Sequence, residues 1–269
     1  MYRPFRSLSC AFAFALLLLA GCASVPAGDG QALVRIKERG QLILGTSGNM
    51  PAMSMTDASG KVTGLDIDIA RLMAQGMGVE LATRVMPFAD LLPALESGKV
   101  DVVISNVTMN MERNTRVAFV GPYLKSGKCV VSKSETLARA RQSSDLNDPA
   151  TRLVVLGGST SERFARELMP RATVLTVADY AKAAEMVRSG EAGALLSEFP
   201  ICASVRKNNP DAGFVSVIPL LTYEPIGIAL PPNDAHFINW TENFLKRLEG
   251  TGTLEGLGDR WFGQLMQGR

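Results

Sequence analysis

Histidine is almost missing from this chain: among its 269 residues only His236 carries an imidazole. A histidine-based catalytic triad or a multi-histidine metal site is therefore hard to assemble, and neither a metal nor a cofactor is expected. Cysteine is scarce as well. Cys10, Cys22, Cys129 and Cys202 have no metal-ligand spacing. An oxidising compartment permits a disulfide between Cys129 and Cys202, and two buried free thiols fit the sequence at least as well. An excess of positive charge is also lacking. The formal net charge is +2, and no basic patch or stripe stands out, which argues against nucleic acid as a partner. Beyond the first residues no apolar stretch approaches the roughly 20 residues a membrane helix needs.

What the chain does have at its start is an export signal. Arg3 and Arg6 precede an apolar run, Ala11 to Leu19, that is too short to span a bilayer easily. The run ends in Leu19-Ala20-Gly21-Cys22, which resembles the lipobox of bacterial lipoproteins. That resemblance implies a signal peptide over residues 1–21, cleavage before Cys22, lipid on its thiol, and a membrane-anchored protein of the periplasm or cell envelope. An ordinary secretory signal with an incidental cysteine is the alternative. Residues 22–30 read as a short tether of small residues with Gly and Pro. The signal carries no acid, so without it basic and acidic residues balance at 26 each.

The roughly 240 residues that follow suffice for one large domain or two lobes, and they alternate between strand and helix patterns. Leu42–Thr46 is an apolar strand leading to the turn Gly48-Asn-Met-Pro51. Ile69, Leu72 and Met73 give Asp66–Met77 a helical spacing that ends near Gly76 and Gly78. Leu81–Val85 is a strand, Phe88, Leu91, Leu92 and Leu95 mark a helix stopped by Gly98, and Val102–Ile104 is a third strand. Such β-α-β units predict a parallel sheet. A second set follows: strand Leu153–Leu156, a helix from Gly157 to about Met169, strand Thr173–Val177, helix Ala178–Ser189 and strand Gly193–Ser197. Phe214–Ile218 and Ile226–Leu230 read as strands, and helices are expected near Asp234–Leu248 and Gly252–Leu265. The pattern suggests two lobes around a cleft, crossed near Tyr123–Val131 and again near Leu220–Ile226. The divisions are 31–126 for the first lobe, 127–221 for the second, and 222–269 for a return to the first.

Open α/β sheets place ligands at the carboxyl ends of their strands. There Ser105-Asn106-Val107-Thr108 leaves a buried-looking strand, and Arg113 follows five residues later. Arg is the side chain best shaped to grip a carboxylate with two parallel hydrogen bonds. Gly157-Gly158-Ser159-Thr160-Ser161-Glu162 is a glycine turn at a helix start. Ser159 with Glu162 has capping-box spacing, and the free N–H groups there also favour an anion, so cap and ligand site remain equally open. Glu198 directly follows an apolar strand and suits an ammonium group, or is a solvated loop residue. Phe88 is a candidate cleft ring or a core residue. Met50 and Met53 are more often core than ligand wall.

These parts are similar, in order and over nearly all of the exported chain, to the polar amino-acid solute-binding proteins of ABC transporters, the bacterial extracellular solute-binding protein family 3. Gly64-Leu-Asp-Ile-Asp-Ile-Ala70 resembles that family's Gly-aromatic-Asp-aliphatic-Asp signature. The stretch Leu92–Arg113 with Ala118-Phe-Val-Gly-Pro-Tyr123 resembles its most specific segment. The resemblance implies an α/β fold of the periplasmic binding protein-like (type II) class, with two α/β lobes, a ligand cleft and two hinge crossings. It further implies a monomer that captures an amino acid or related small carboxylate and delivers it to an ABC transporter permease. By position, Arg113 would clamp the α-carboxylate with Thr108 and Thr160, Asn106 and Ser159 would complete the polar ring, Glu198 would meet the α-ammonium, and Phe88 and Met50 would form the side-chain wall. Three departures stand out: Glu198 is a methylene longer than the usual aspartate, Met50 and Met53 replace residues that are commonly aromatic, and Asn110 stands where Thr or Ser is frequent.

The same scaffold includes an enzyme, the periplasmic cyclohexadienyl dehydratase, which removes water and carbon dioxide from prephenate or arogenate. Asn110-Met-Glu-Arg113, Pro122–Gly127 and Gly158–Ala165 resemble its pattern. Such an elimination needs a proton donor for the departing hydroxyl, a glutamate in that enzyme three residues after the aligned acid. Here that position is Ile201, which donates no proton. A binding protein is therefore the first reading and a dehydratase-like enzyme the alternative.

Overall fold

The structure is a computed structural model that describes residues 31–216 and 222–266. The expected signal peptide and tether, Cys22 and part of the second expected crossing lie outside the described residues.

Helix α1 (Ala32–Arg39) leads into β1 (Gln41–Thr46). Where the sequence suggested only a turn, a small antiparallel meander forms from β2 (Asn49–Met50), β3 (Ser54–Thr56) and β4 (Val62–Thr63). Then come α2 (Leu65–Met77), β5 (Glu80–Val85), a 3₁₀ turn at Phe88–Asp90 running into α3 (Leu91–Glu96), β6 (Val102–Val103), α4 (Met111–Asn114) and β7 (Ala118–Ser126). The chain next builds β8 (Lys128–Ser132), α5 (Glu135–Ala138), β9 (Arg152–Leu156), α6 (Thr160–Leu168), β10 (Thr173–Val177), α7 (Tyr180–Ser189), β11 (Ala194–Glu198) and α8 (Phe199–Asn208). It ends with β12 (Glu224–Leu230), α9 (Ala235–Gly250) and α10 (Thr253–Met266). Within the expected strand Phe214–Ile218, Val215 makes an isolated bridge to Ser132, and 217–218 lie outside the described residues.

Besides that meander, two larger sheets form among the described residues, in the orders β5-β1-β6-β12-β7 and β10-β9-β11-β8. The expected parallel arrangement holds for β5-β1-β6 and for β10-β9-β11, whose strands are joined through helices. It fails for β7 and β12, which pair antiparallel, and for β8, antiparallel to β11. The reason is connectivity. β7 carries the chain out of the first sheet and β12 brings it back, so the two run in opposite senses. The expected crossing at Tyr123–Val131 is strand almost throughout, with only Gly127 between β7 and β8.

Local chemistry explains the helix ends. Asp66 and Asp68 lie in the first turn of α2, where the dipole favours negative charge, and Gly78 stops it in a left-handed conformation. The α7 start falls at Tyr180 because the Asp179 side chain accepts the Lys182 N–H. Ile69, Met73, Leu42, Leu44, Leu91 and Phe237 form the core on the first sheet. Asp68 accepts a 2.9 Å hydrogen bond from Trp261 Nε1, tying α10 to α2. Asp234 caps α9 and also accepts the Leu33 N–H at 3.2 Å. Cys129 on β8 and Cys202 on α8 form a disulfide, with Cα atoms 6.3 Å apart, which settles the pairing that the sequence left open.

Candidate ligand-binding site between the lobes

The carboxyl end of β6 delivers Ser105, Asn106 and Thr108 to the edge of the second sheet's lobe. Asn106 adopts φ 50°, a left-handed conformation that Asn tolerates better than most residues. Beneath it lies Asp66, which accepts the Tyr123 hydroxyl at 2.7 Å and the Asn106 backbone N–H. Burial pushes the Asp66 carboxyl up to about 7, against the opposing pull of those two donors. The Tyr123 hydroxyl is pushed up by its own burial and by Asp66. This buried pair fixes the turn that carries the polar wall.

Asn110 caps the short α4 by accepting the Arg113 N–H at 2.8 Å, so its departure from the family pattern is structural. Arg113 then reaches into the cleft. One guanidinium nitrogen donates to the Thr108 carbonyl at 3.0 Å, the other to the Gly158 carbonyl on the opposite lobe at 3.3 Å, and the group sits 5.7 Å from the Phe88 ring centre. Burial lowers its pKa, opposed by Glu198 and Glu224, and an arginine stays charged regardless.

Across the cleft, Ser159 caps α6 by accepting the Glu162 N–H at 3.2 Å, and Glu162 returns a carboxylate to the Gly158 N–H at 2.8 Å. Thr160 follows, its hydroxyl 3.4 Å from that of Thr108. Further contacts join the lobes: Asn49 donates to the Ala178 carbonyl at 2.7 Å, and Glu112 pairs with Arg163.

Met50, Phe88, Asn106, Thr108, Arg113, Ser159, Thr160 and Glu198, the eight candidates, all border one small cavity, together with Leu156 and Tyr180. Ser159 thus serves as a cap and as cavity wall. Met53, by contrast, is wholly buried core. The cavity of about 10 Å³ has roughly one water's room. Arg113, Ser159 and Thr160 also border an outer hollow of about 400 Å³, so Arg113 stands between the cavity and the cleft mouth. The amide oxygen of Asn106 is buried without a protein partner.

Behind this wall lies a cluster that sequence reasoning missed. Lys128 has no exposed side-chain surface, and its ammonium is 2.6 Å from Glu198 and 3.3 Å from Glu224. It also donates to Thr160 at 2.7 Å. Glu198 further accepts from Ser161 at 2.9 Å and Ser197 at 3.3 Å. Burial pushes the Glu198 carboxyl up, but the charge and hydrogen bond of Lys128 with those hydroxyls outweigh it and hold it below the ordinary value. The Tyr180 hydroxyl, 3.0 Å from Ser197, is pushed up by burial and by Glu198. Ile201 is fully buried in α8 and does not border the cavity. Among the described residues no three His, Cys, Asp or Glu side chains converge as a metal site.

The sequence pattern of the family described as bacterial extracellular solute-binding proteins, family 3, matches residues 42–264. The L-cystine-binding protein TcyJ of Escherichia coli (strain K12) is 27% identical over 249 residues, 93% of this chain and 92% of that one. The cyclohexadienyl dehydratase of Pseudomonas aeruginosa is 26% identical over 262 residues, covering 97% and 96%. A crystal structure of an ancestral amino acid-binding protein, a precursor of cyclohexadienyl dehydratase, matches with a TM-score of 0.78 and 33% identity, covering 86% of this chain and 99% of that one.

Proposed function

Because the chain belongs to family 3 of the bacterial extracellular solute-binding proteins, we propose that it captures an amino acid or related small carboxylate between its lobes and delivers it to an ABC transporter permease. The observation that carries this reading is Arg113. A guanidinium on one lobe reaches the other beside a cavity edged with hydroxyls, an unpartnered Asn106 amide oxygen and a buried acid. A carboxylate placed there gains charge-assisted hydrogen bonds in a site shielded from water. The cavity is too small for a solute of several heavy atoms, so entry requires the lobes to part and close again, about the crossing at Gly127 and the expected return near Leu220–Ile226. The two-sheet arrangement supports lobes of residues 31–126 with 222–269, and 127–221. The chain acts as a monomer in the periplasm, anchored at Cys22, with its exported part free to meet the permease.

Elimination chemistry is disfavoured on a specific ground. Ile201 donates no proton, and Glu198, the cavity's carboxylate, is held ionised by Lys128. A thermal-shift screen of the exported chain over amino acids and related carboxylates tests the proposal, with the stabilisation growing as RT ln(1 + [L]/Kd). Rapid formation of phenylpyruvate from prephenate by the purified protein is the result that overturns it.

A further inference from the structure

Lysine is almost never fully buried unless paired, and Lys128 has three partners at the back of the cavity wall. Its ammonium donates to Glu198 and Thr160 and stands 3.3 Å from Glu224 as an ion pair. The consequence falls on Glu198. Its Oε1 already faces Lys128, Ser161 and Thr160, and its Oε2 faces Ser197. The carboxylate that would receive the ammonium of an α-amino acid therefore already holds an ammonium supplied by the protein.

We infer that the solute is a small monocarboxylate without an α-ammonium, a 2-oxo or 2-hydroxy acid whose carboxylate meets Arg113. The inference rests on the cavity being the solute site, as proposed above. Three observations carry it. A second ammonium packed against Glu198 would lie close to Lys128. Two like charges about 4 Å apart at an effective dielectric of about 20 repel by about 4 kcal/mol, which cancels about the same attraction from Glu198 and leaves only Glu224, already facing Lys128 and Thr160, in favour of the ammonium. Next, the cavity lining includes the hydroxyls of Tyr180 and Thr108, which pair with a carbonyl or hydroxyl oxygen as donors or acceptors. Finally, among the described residues Arg113 is the one cation lining the cavity, and the charges of Arg113, Lys128, Glu198 and Glu224 sum to zero, so a second carboxylate would find no cation of its own.

The test is calorimetric titration with sets of acids that share a side chain and differ only at C2: alanine, pyruvate and lactate, then the corresponding leucine and phenylalanine series, with glutamate and 2-oxoglutarate as a dicarboxylate pair. The wild-type protein is expected to prefer the oxo or hydroxy acid over its amino partner by at least tenfold, and to bind the dicarboxylates weakly. The double variant Lys128→Met with Glu224→Gln frees Glu198 while keeping the charge sum at zero, and it is expected to reverse the preference. If that variant does not fold, the wild-type preference alone decides. An amino acid that binds as tightly as its oxo partner, in a manner abolished by Arg113→Ala, overturns this inference and leaves the solute site intact. Binding unaffected by Arg113→Ala, or no binding by any acid in the sets, overturns both.

Discussion

Arg113, carried on the first lobe, donates a 3.3 Å hydrogen bond to the backbone carbonyl of Gly158 on the second. That contact spans the cleft at the edge of the cavity, and a bound carboxylate would compete for the same guanidinium. Arg113→Ala is therefore expected to abolish solute binding while leaving the melting temperature of the free protein nearly unchanged. Arg113→Lys keeps the charge but loses the planar fork, and should weaken binding about a hundredfold. Calorimetry on both variants checks this.

Gly158 has a second constraint. Its φ is +74°, and a Cβ there would stand 2.9 Å from Ala89 Cβ on the facing lobe. Gly158→Ala should cost about 1–2 kcal/mol in backbone strain and also hold the lobes apart. The expected outcome is a folded protein with weakened binding, whose radius of gyration by small-angle scattering no longer contracts fully on adding solute.

Asp66 gives the fold a pH dependence whose sign is opposite to that of a salt-bridged carboxylate. Its folded pKa of about 7 lies above the ordinary 3.8, so between these values the folded state binds more protons than the unfolded one. Below pH 4 both states are protonated and the group costs nothing. As pH rises from about 4 to about 7 stability is lost, and above 7 the loss is complete. Asp66→Asn should flatten this slope in denaturant melts across that range. Glu198 acts in the other direction: its folded pKa is lowered, so its stabilising contribution is present above its unfolded pKa and disappears as pH falls through the folded one.

The Cys129–Cys202 disulfide closes a loop with a sequence separation of 73 residues. On loop entropy alone it contributes about 4 kcal/mol. Replacing both cysteines by serine should lower the urea midpoint accordingly, and reductant should have no further effect on that variant.

The strand–helix alternation was legible because apolar periodicity is strong in segments such as Leu42–Thr46 and Thr173–Val177, and all eight candidate residues border one cavity because they sit at strand ends and helix starts. The antiparallel β7–β12 pair was not legible, since its partners are 98 or more residues apart by register, from Ser126 to Glu224. Lys128 escaped for a different reason. A lysine at a strand start is ordinarily a surface residue, and only the buried run Cys129–Ser132 after it hinted otherwise. Glu224 gave no local signal either, because what buries it is the cluster formed with Lys128 and Thr160.

The most direct test of solute capture is to titrate residues 22–269 with the solute that raises their melting temperature, and then recover that solute. The expected result is one-site binding, loss of binding in Arg113→Ala, and solute returned chemically unchanged. Conversion of the solute by the wild-type protein, or wild-type affinity in Arg113→Ala, would contradict it.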